Sequence, residues 1–279
     1  MMWSLGDYRE VARMLEREAD RLAEACGLVA DMRVLDVAAG TGNFAVAAAR
    51  RGAAVIASDF SPRMLEWGRE HREAEGLNIE WREADAEDLP FADGTFDCCV
   101  SMFGAMFAPR PQVVAKELFR VTKSGGLVAM ANWTREGFCG RLASLITNYA
   151  PSAPSGIPSP FDWAERAEVR DRFEGLASVI EMDVRSAVFE FDSLPAGRAF
   201  FEKNNTPTIA IRAMLPPDRY QVLADEMVEL LREFNRGTDD RVVIDAEYLL
   251  VIAHGGGSSD PKASLSTTSV VDCRGGVAL

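Results

Sequence analysis

Val34-Leu35-Asp36-Val37-Ala38-Ala39-Gly40-Thr41-Gly42-Asn43-Phe44 is the stretch whose reading decides the fold. An apolar strand ends in an acid, a Gly-x-Gly turn follows, and an Ala-rich helix begins. Strand, glycine turn and helix in that order build a nucleotide-type site, because a backbone without Cβ atoms can pass close to a ligand. On the C-terminal side the rhythm continues. Strands are predicted over 33–38, 54–58, 79–83, 96–102 and 127–132, with helices over 43–51, 62–75 and 111–121 between them. Pro62 and Pro111 suit first helical turns, and Asp93-Gly94 marks a turn before the fourth strand. Apolar strands separated by helices imply a parallel sheet covered on both faces.

On the N-terminal side, Tyr8, Val11, Ala12, Leu15, Ala19, Leu22, Ala23 and Cys26 share one face of a helix that Gly27 stops. After Trp133 the alternation breaks. A helix is expected up to Tyr149, followed by a stiff irregular loop over 151–160, which holds four prolines in ten residues. A strand over 179–191, helices over 195–213 and 217–235, and a closing strand over 246–253 follow. The stripe from Tyr220 to Phe234 reads as core before it reads as a dimer seam, and a homo-oligomer stays open. The Gly/Ser/Thr-rich tail over 255–279 is expected to be disordered.

The bulk numbers narrow the chemistry. A net charge of −13 argues against a nucleic-acid partner, since phosphate contacts dominate such binding. No apolar run approaches ~18 residues, so no membrane span is expected. Residues 1–7 lack a signal peptide's basic and apolar regions, which points to the cytoplasm. Five cysteines without Cys-x-x-Cys spacing suit a reducing compartment and give neither a disulfide frame nor a metal site.

The acid of the opening stretch chooses the ligand. A pyrophosphate needs the bare positive end of a helix, and a carboxylate there repels it. A ligand carrying an ammonium and a sulfonium is attracted instead, so Asp36 with Gly40 and Gly42 points to S-adenosylmethionine (SAM) over NAD. Ligands of open parallel sheets sit at the carboxyl ends of the strands. The second strand ends at Asp59, placed to accept two ribose hydroxyls. The third runs into Asp85-Ala86-Glu87, where Asp85 would take the adenine amino group and the Ala86 N–H a ring nitrogen. The fourth ends at Ser101-Met102-Phe103-Gly104, facing the methionine part, and Ala38, Thr41, Phe60, Met64 and Glu87 complete the predicted cofactor set.

With these motifs in order, the chain resembles the class I SAM-dependent methyltransferases, in the branch of ubiquinone/menaquinone-biosynthesis and actinobacterial small-molecule enzymes (methyltransferase type 11). The resemblance is strong over about 30–133. It rests on Leu35–Gly42, on Ser58-Asp59-Phe60-Ser61-Pro62-Arg63-Met64-Leu65, on Asp85-Ala86-Glu87-Asp88-Leu89-Pro90-Phe91, and on Glu117–Gly126. Ser124-Gly125-Gly126 stands where the family usually has Pro-Gly-Gly. The resemblance implies an α/β, Rossmann-like, seven-stranded and mostly parallel sheet whose last strand is antiparallel. It also implies a domain over 1–254, with a cofactor core at 30–133 and helical insertions at 134–177 and 192–236 forming a substrate cap. The substrate side is expected to use Tyr8, Phe103, Met106, Phe107, Trp133 and Tyr149.

Bland readings compete at each point. Asp36 could cap the next turn, Asp59 could cap the helix at Pro62, and Asp85 could be one solvated acid among several. Met102, Met106, Phe103 and Phe107 could simply pack, and Cys98 and Cys99 read as core. Neither His71 nor His254 is placed as a base, so no catalytic residue is assigned. That favours an already electron-rich, hydrophobic small-molecule acceptor methylated at carbon or oxygen, of quinone, polyketide or isoprenoid type. Two alternatives stay open. Gly40-x-Gly42-x-x-Ala45 also matches a relaxed nicotinamide-dinucleotide fingerprint, and a non-catalytic SAM-binding protein would keep the same acids.

Overall fold

A computed structural model describes residues 6–72, 76–151 and 156–256. The elements run α1 (Tyr8–Met14), α2 (Glu16–Ala25), β1 (Arg33–Val37), α3 (Asn43–Ala49), β2 (Ala54–Asp59), α4 (Pro62–Arg72), β3 (Ile79–Glu83), β4 (Phe96–Met102) and α5 (Pro111–Val121). Then come β5 (Thr122–Trp133), α6 (Phe138–Thr147), α7 (Arg166–Arg172), β6 (Ala177–Phe191), α8 (Leu194–Asn204), α9 (Thr206–Met214), α10 (Pro217–Phe234) and β7 (Val242–Gly255). The seven-stranded sheet has the order β3-β2-β1-β4-β5-β7-β6. β1 to β5 pair in parallel, and β7 lies antiparallel between β5 and β6.

The order of strands reverses at β1 and β4. Helices cannot cover both directions at that point, so a crevice opens beyond the strand ends. Both central strands are buried on both faces, which is why their sequences read as apolar runs without alternation. Cys98 and Cys99 fill such positions in β4 and are fully buried, with the Cys99 thiol pushed up to about 12 by burial. The helical layer near residue 138 is tied together by one ring. Phe138 makes aromatic contacts with Phe189 of β6, Phe201 of α8 and Phe234 of α10. The stripe of α10 is core, with Leu223, Met227, Leu230 and Leu231 buried.

Several boundaries differ from expectation. The helix expected from Tyr8 to Cys26 breaks at Leu15, whose ψ of 0° ends α1 before α2 begins. The segment 195–213 divides at Asn205. Pro207 cannot donate to a helix running through it, and the Asn205 side chain caps α9 by accepting from the Thr208 N–H. Within 134–177 lie an unexpected 3-10 turn, Pro160–Ala164, closed by a Ser159/Asp162 capping box, and α7. β7 is longer than predicted because it pairs with β6 along its whole length, and β5 starts earlier, at Thr122, which pairs with Phe96 of β4. The tail beyond Gly256, residues 152–155 of the proline loop, the start of the chain, Cys273 and the His71 side chain lie outside the described residues. Among the described residues, no helix is long and apolar enough to cross a membrane.

A buried charge joins the N-terminal helices to the last strand. Glu18 of α2 is 3% exposed and accepts from the Tyr248 hydroxyl of β7 at 2.7 Å. The other Glu18 oxygen accepts from Arg21 at 2.8 Å. Removing only the hydroxyl, by Tyr248→Phe, leaves part of a buried carboxylate unmatched, at a cost of about 1–3 kcal/mol. A urea melt is expected to show that loss, and an unchanged midpoint would show that water replaces the hydroxyl without cost.

Candidate active site

Beyond the carboxyl ends of β1 to β5 lies a cavity of about 360 Å³. Its polar half comes from the strand ends. Asp36 of β1, Asp59 of β2, and Asp85 just past β3 all line it. No Lys, Arg or His is among the lining residues described.

Asp36 is 1% exposed. Its Oδ2 accepts from the Ala45 N–H at 2.9 Å, so the bland capping role exists, but Oδ1 has no partner in the protein. Burial pushes this carboxyl up to about 8, the Ala45 N–H eases it, and the charge of Asp59 raises it further. In an unfolded chain the group titrates near 3.8. Between about pH 4 and 8 the ligand-free fold therefore holds a proton that the unfolded chain has released. The stability this gives is complete below about pH 4 and is lost as pH rises through about 8. Urea midpoints of the ligand-free protein are expected to fall between pH 5 and 8, with a flatter slope in Asp36→Asn. Equal slopes in the two proteins would contradict this.

Asp59 is 5% exposed and grips its own loops. Oδ2 accepts from the Gly40 N–H at 2.9 Å and Oδ1 from the Ser61 N–H at 2.8 Å. Burial raises its pKa, and those two N–H groups hold it down. Each oxygen keeps a further lone pair for a ligand. Asp85 is exposed, with Oδ1 held by the Glu87 N–H at 2.9 Å.

Ala38, Gly40, Thr41, Phe60, Met64, Ala86, Glu87 and Met102 line the cavity as expected, while two predicted cofactor residues do not. Gly42 stands behind the wall. Its φ is +80°, and a Cβ there would come 2.4 Å from the Trp81 ring, so glycine lets α3 start against that ring. Ser101 is fully buried, and its hydroxyl accepts from the Ala105 N–H at 2.9 Å, closing the turn after β4. Glu87 lines the cavity, but its carboxylate is engaged by Arg110, through the backbone N–H at 2.6 Å and Nε at 2.7 Å.

The other half of the cavity is apolar. Phe103 and Trp133 stack at 3.8 Å with rings 6° apart, and Tyr248 stands edge-on behind them. Phe103 takes a φ of +61° and Ala38, across from it at the end of β1, a φ of +54°. Strain at two such positions is typical of ligand sites. Phe107 and Phe60 lie at the rim, 39% and 42% exposed. Tyr8 closes the cavity from α1. Two expected substrate residues are elsewhere. Met106 is fully buried core. Tyr149 lies in the turn past the end of α6, its hydroxyl donating to Glu226 of α10 at 2.8 Å beneath the Arg219 guanidinium.

Sequence reasoning missed Cys139, Leu142, Ala143 and Ile146 of α6, together with Phe161, Phe189, Phe201 and Asn205. The α6 set was findable. Positions 139, 142, 143 and 146 are the i, i+3, i+4, i+7 face of one helix. The aromatic residues came from elements whose packing no local pattern announces.

Comparison with known proteins adds independent findings. The family model described as "Methyltransferase domain" matches residues 35–130. An uncharacterised protein of Mycobacterium tuberculosis is 37% identical over 254 residues, covering 90% of this chain and 92% of that protein. A demethylmenaquinone methyltransferase of Clavibacter sepedonicus is 44% identical over 106 residues, 38% of this chain and 43% of that enzyme. Among solved structures, a geranyl diphosphate methyltransferase in complex with SAM shares the fold. Its TM-score is 0.52 at 19% identity, over 86% of this chain and 84% of that one.

Proposed function

This chain belongs to the class I SAM-dependent methyltransferase family, and from that premise we propose that it methylates carbon or oxygen of a hydrophobic small molecule of quinone, polyketide or isoprenoid type. One observation carries the reading. The cavity has an acidic half without cations and an apolar half without a charged side chain. The first suits a cationic methyl donor and would repel a dinucleotide's pyrophosphate, and the second suits an uncharged acceptor.

The unpartnered Oδ1 of Asp36 is the donor site's test of fit. A buried carboxylate oxygen without a hydrogen bond is costly, and an ammonium group satisfies it. In this reading Asp59 holds the two ribose hydroxyls and Asp85, with the Ala86 N–H, the adenine edge. S-adenosylmethionine supplies a methyl group on a sulfonium, which is already a good leaving group. Phe103 and Trp133 then serve by holding the acceptor flat against the donor and excluding water, so that alignment lowers the barrier. The apolar half contains no His, Lys or carboxylate to act as base, so the acceptor must arrive electron-rich.

Incubation of the enzyme with labelled SAM and a panel of quinols, phenols and isoprenoid alkenes is expected to label members of that panel. Labelling confined to amines or proteins would overturn the proposal.

A further inference from the structure

One buried acid stands outside the cavity and has no part in the chemistry above. Glu18 lies in the first turn of α2, where a negative charge suits the helix end. That role does not require burial, yet Glu18 is 3% exposed. A carboxylate taken out of water needs partners, and one of its two comes from the far end of the chain. Oε2 accepts from the Tyr248 hydroxyl at 2.7 Å and Oε1 from Arg21 at 2.8 Å. Burial, and the bond to Glu18, push the Tyr248 hydroxyl up, so it stays protonated and donates.

Neither Glu18 nor Tyr248 is among the residues lining the cavity, but both rings that Tyr248 meets are. Tyr248 is directly opposite Trp133 in the β5–β7 pairing. Its ring stands at 87° to Trp133, 6.1 Å away, and at 88° to Phe103, 5.3 Å away. A stacked pair is thus braced by a third ring at right angles to both. The backbone fixes where each wall residue begins. Trp133 belongs to β5, and the Phe103 N–H donates to the Ala131 carbonyl at 2.9 Å. Neither anchor fixes the tilt of a ring, because the outer torsion of an aromatic side chain is broad. Tyr248 supplies that restraint, and its own far end is tied to Glu18.

We propose that Glu18, acting through Tyr248, is a positioning residue that holds the Phe103–Trp133 wall flat and thereby selects planar acceptors. The proposal rests on the reading of the apolar half as the acceptor's place, and it narrows the substrate class. Two rings kept within 6° of parallel give a planar acceptor contact over its whole face, and a puckered one contact at a few atoms. A wall free to tilt adapts to both and loses the distinction. Selectivity is in this way set from α2, while the acids at the strand ends hold the methyl donor.

The test uses 2-naphthol and trans-decahydro-2-naphthol, which share a skeleton and a hydroxyl but are planar and puckered. Each is titrated calorimetrically into the protein saturated with S-adenosylhomocysteine. The wild type is expected to bind the planar probe about fivefold more tightly, the worth of one well-placed aromatic contact. Tyr248→Phe keeps the ring and removes the tie, and Glu18→Ala removes the acid. In both, the preference is expected to shrink to less than about twofold, with S-adenosylhomocysteine affinity within about twofold of wild type. Glu18→Gln still offers an oxygen to the hydroxyl and is expected to keep most of the preference. If Glu18→Ala does not fold, Tyr248→Phe reads the same loss. A purely structural role would lower stability and leave the preference intact, so a full preference in Tyr248→Phe would overturn the proposal. A wild type without preference, or Glu18→Gln as impaired as Glu18→Ala, would do the same. Binding of neither probe by the wild type would remove the acceptor reading and this proposal with it. Failure to bind S-adenosylhomocysteine would instead strike the methyl-donor reading, which keeps the claims apart.

Discussion

Replacing Asp59 with alanine is expected to lower the affinity for S-adenosylhomocysteine at least about 100-fold. Two hydroxyls held by one carboxylate are charge-assisted bonds worth about 1.5–3 kcal/mol each, and 1.4 kcal/mol is a factor of ten. The loss goes beyond the ligand contacts. Asp59 also accepts from the Gly40 and Ser61 N–H groups, so alanine leaves both turns of the acidic half without their common partner. Asp59→Asn separates the two effects. An amide oxygen can keep one of the N–H contacts, but its NH₂ faces the other as a second donor, and the variant is expected to fall between wild type and alanine. Calorimetric titration reads both. Affinity within about threefold of wild type in Asp59→Ala would show that the carboxylate serves the loops and not the ligand.

Gly104→Ala is expected to have the largest structural effect. Gly104 lies just past β4 with an ordinary right-handed φ, so the obstacle is space and not conformation. A Cβ there would come 2.2 Å from the Ala38 carbonyl oxygen and 2.7 Å from the Ala38 Cβ. Ala38 is itself held at a φ of +54°, and its loop leads directly to Gly40, which Asp59 binds. The backbone cannot yield as a flexible side chain would. The ends of β1 and β4 must therefore separate, at a cost of at least about 2 kcal/mol and with loss of ligand binding. Urea denaturation and an S-adenosylhomocysteine titration measure the two consequences. A variant with wild-type midpoint and affinity would show that the strand ends are looser than the packing indicates.

The acidic half of the cavity was legible in the sequence because its residues are local. Asp36, Asp59 and Asp85 each end or follow a strand that can be read from its own apolar run, and a parallel sheet brings strand ends together whatever the helices do. The failures there have a physical pattern. Ser101 and Gly42 belong to the right segments but point away, because the alternation of side chains on a strand and the ring of Trp81 decide which atoms reach the cavity. The apolar half was less legible. Trp133, Phe103 and Tyr8 follow from their places at strand ends and on the first helix, but α6 stops at Thr147 and the turn after it takes Tyr149 to Glu226 instead. Asn205 had a readable signal. Asn205-Thr206-Pro207 is a cap followed by a proline in the first turn, and it should have divided the segment 195–213 and exposed the joint that lines the cavity. Phe161, Phe189 and Phe201 had none, since their convergence is set by how α6 and α8 pack on the sheet.

Calorimetric titration of the wild-type protein with S-adenosylhomocysteine, against NADH as control, tests the central claim most directly. The acidic, cation-free half of the cavity predicts one-to-one binding of S-adenosylhomocysteine and none of NADH. Binding of NADH with no heat from S-adenosylhomocysteine would mean that the acids around Asp36 serve another ligand, and the assignment of the donor site would fall.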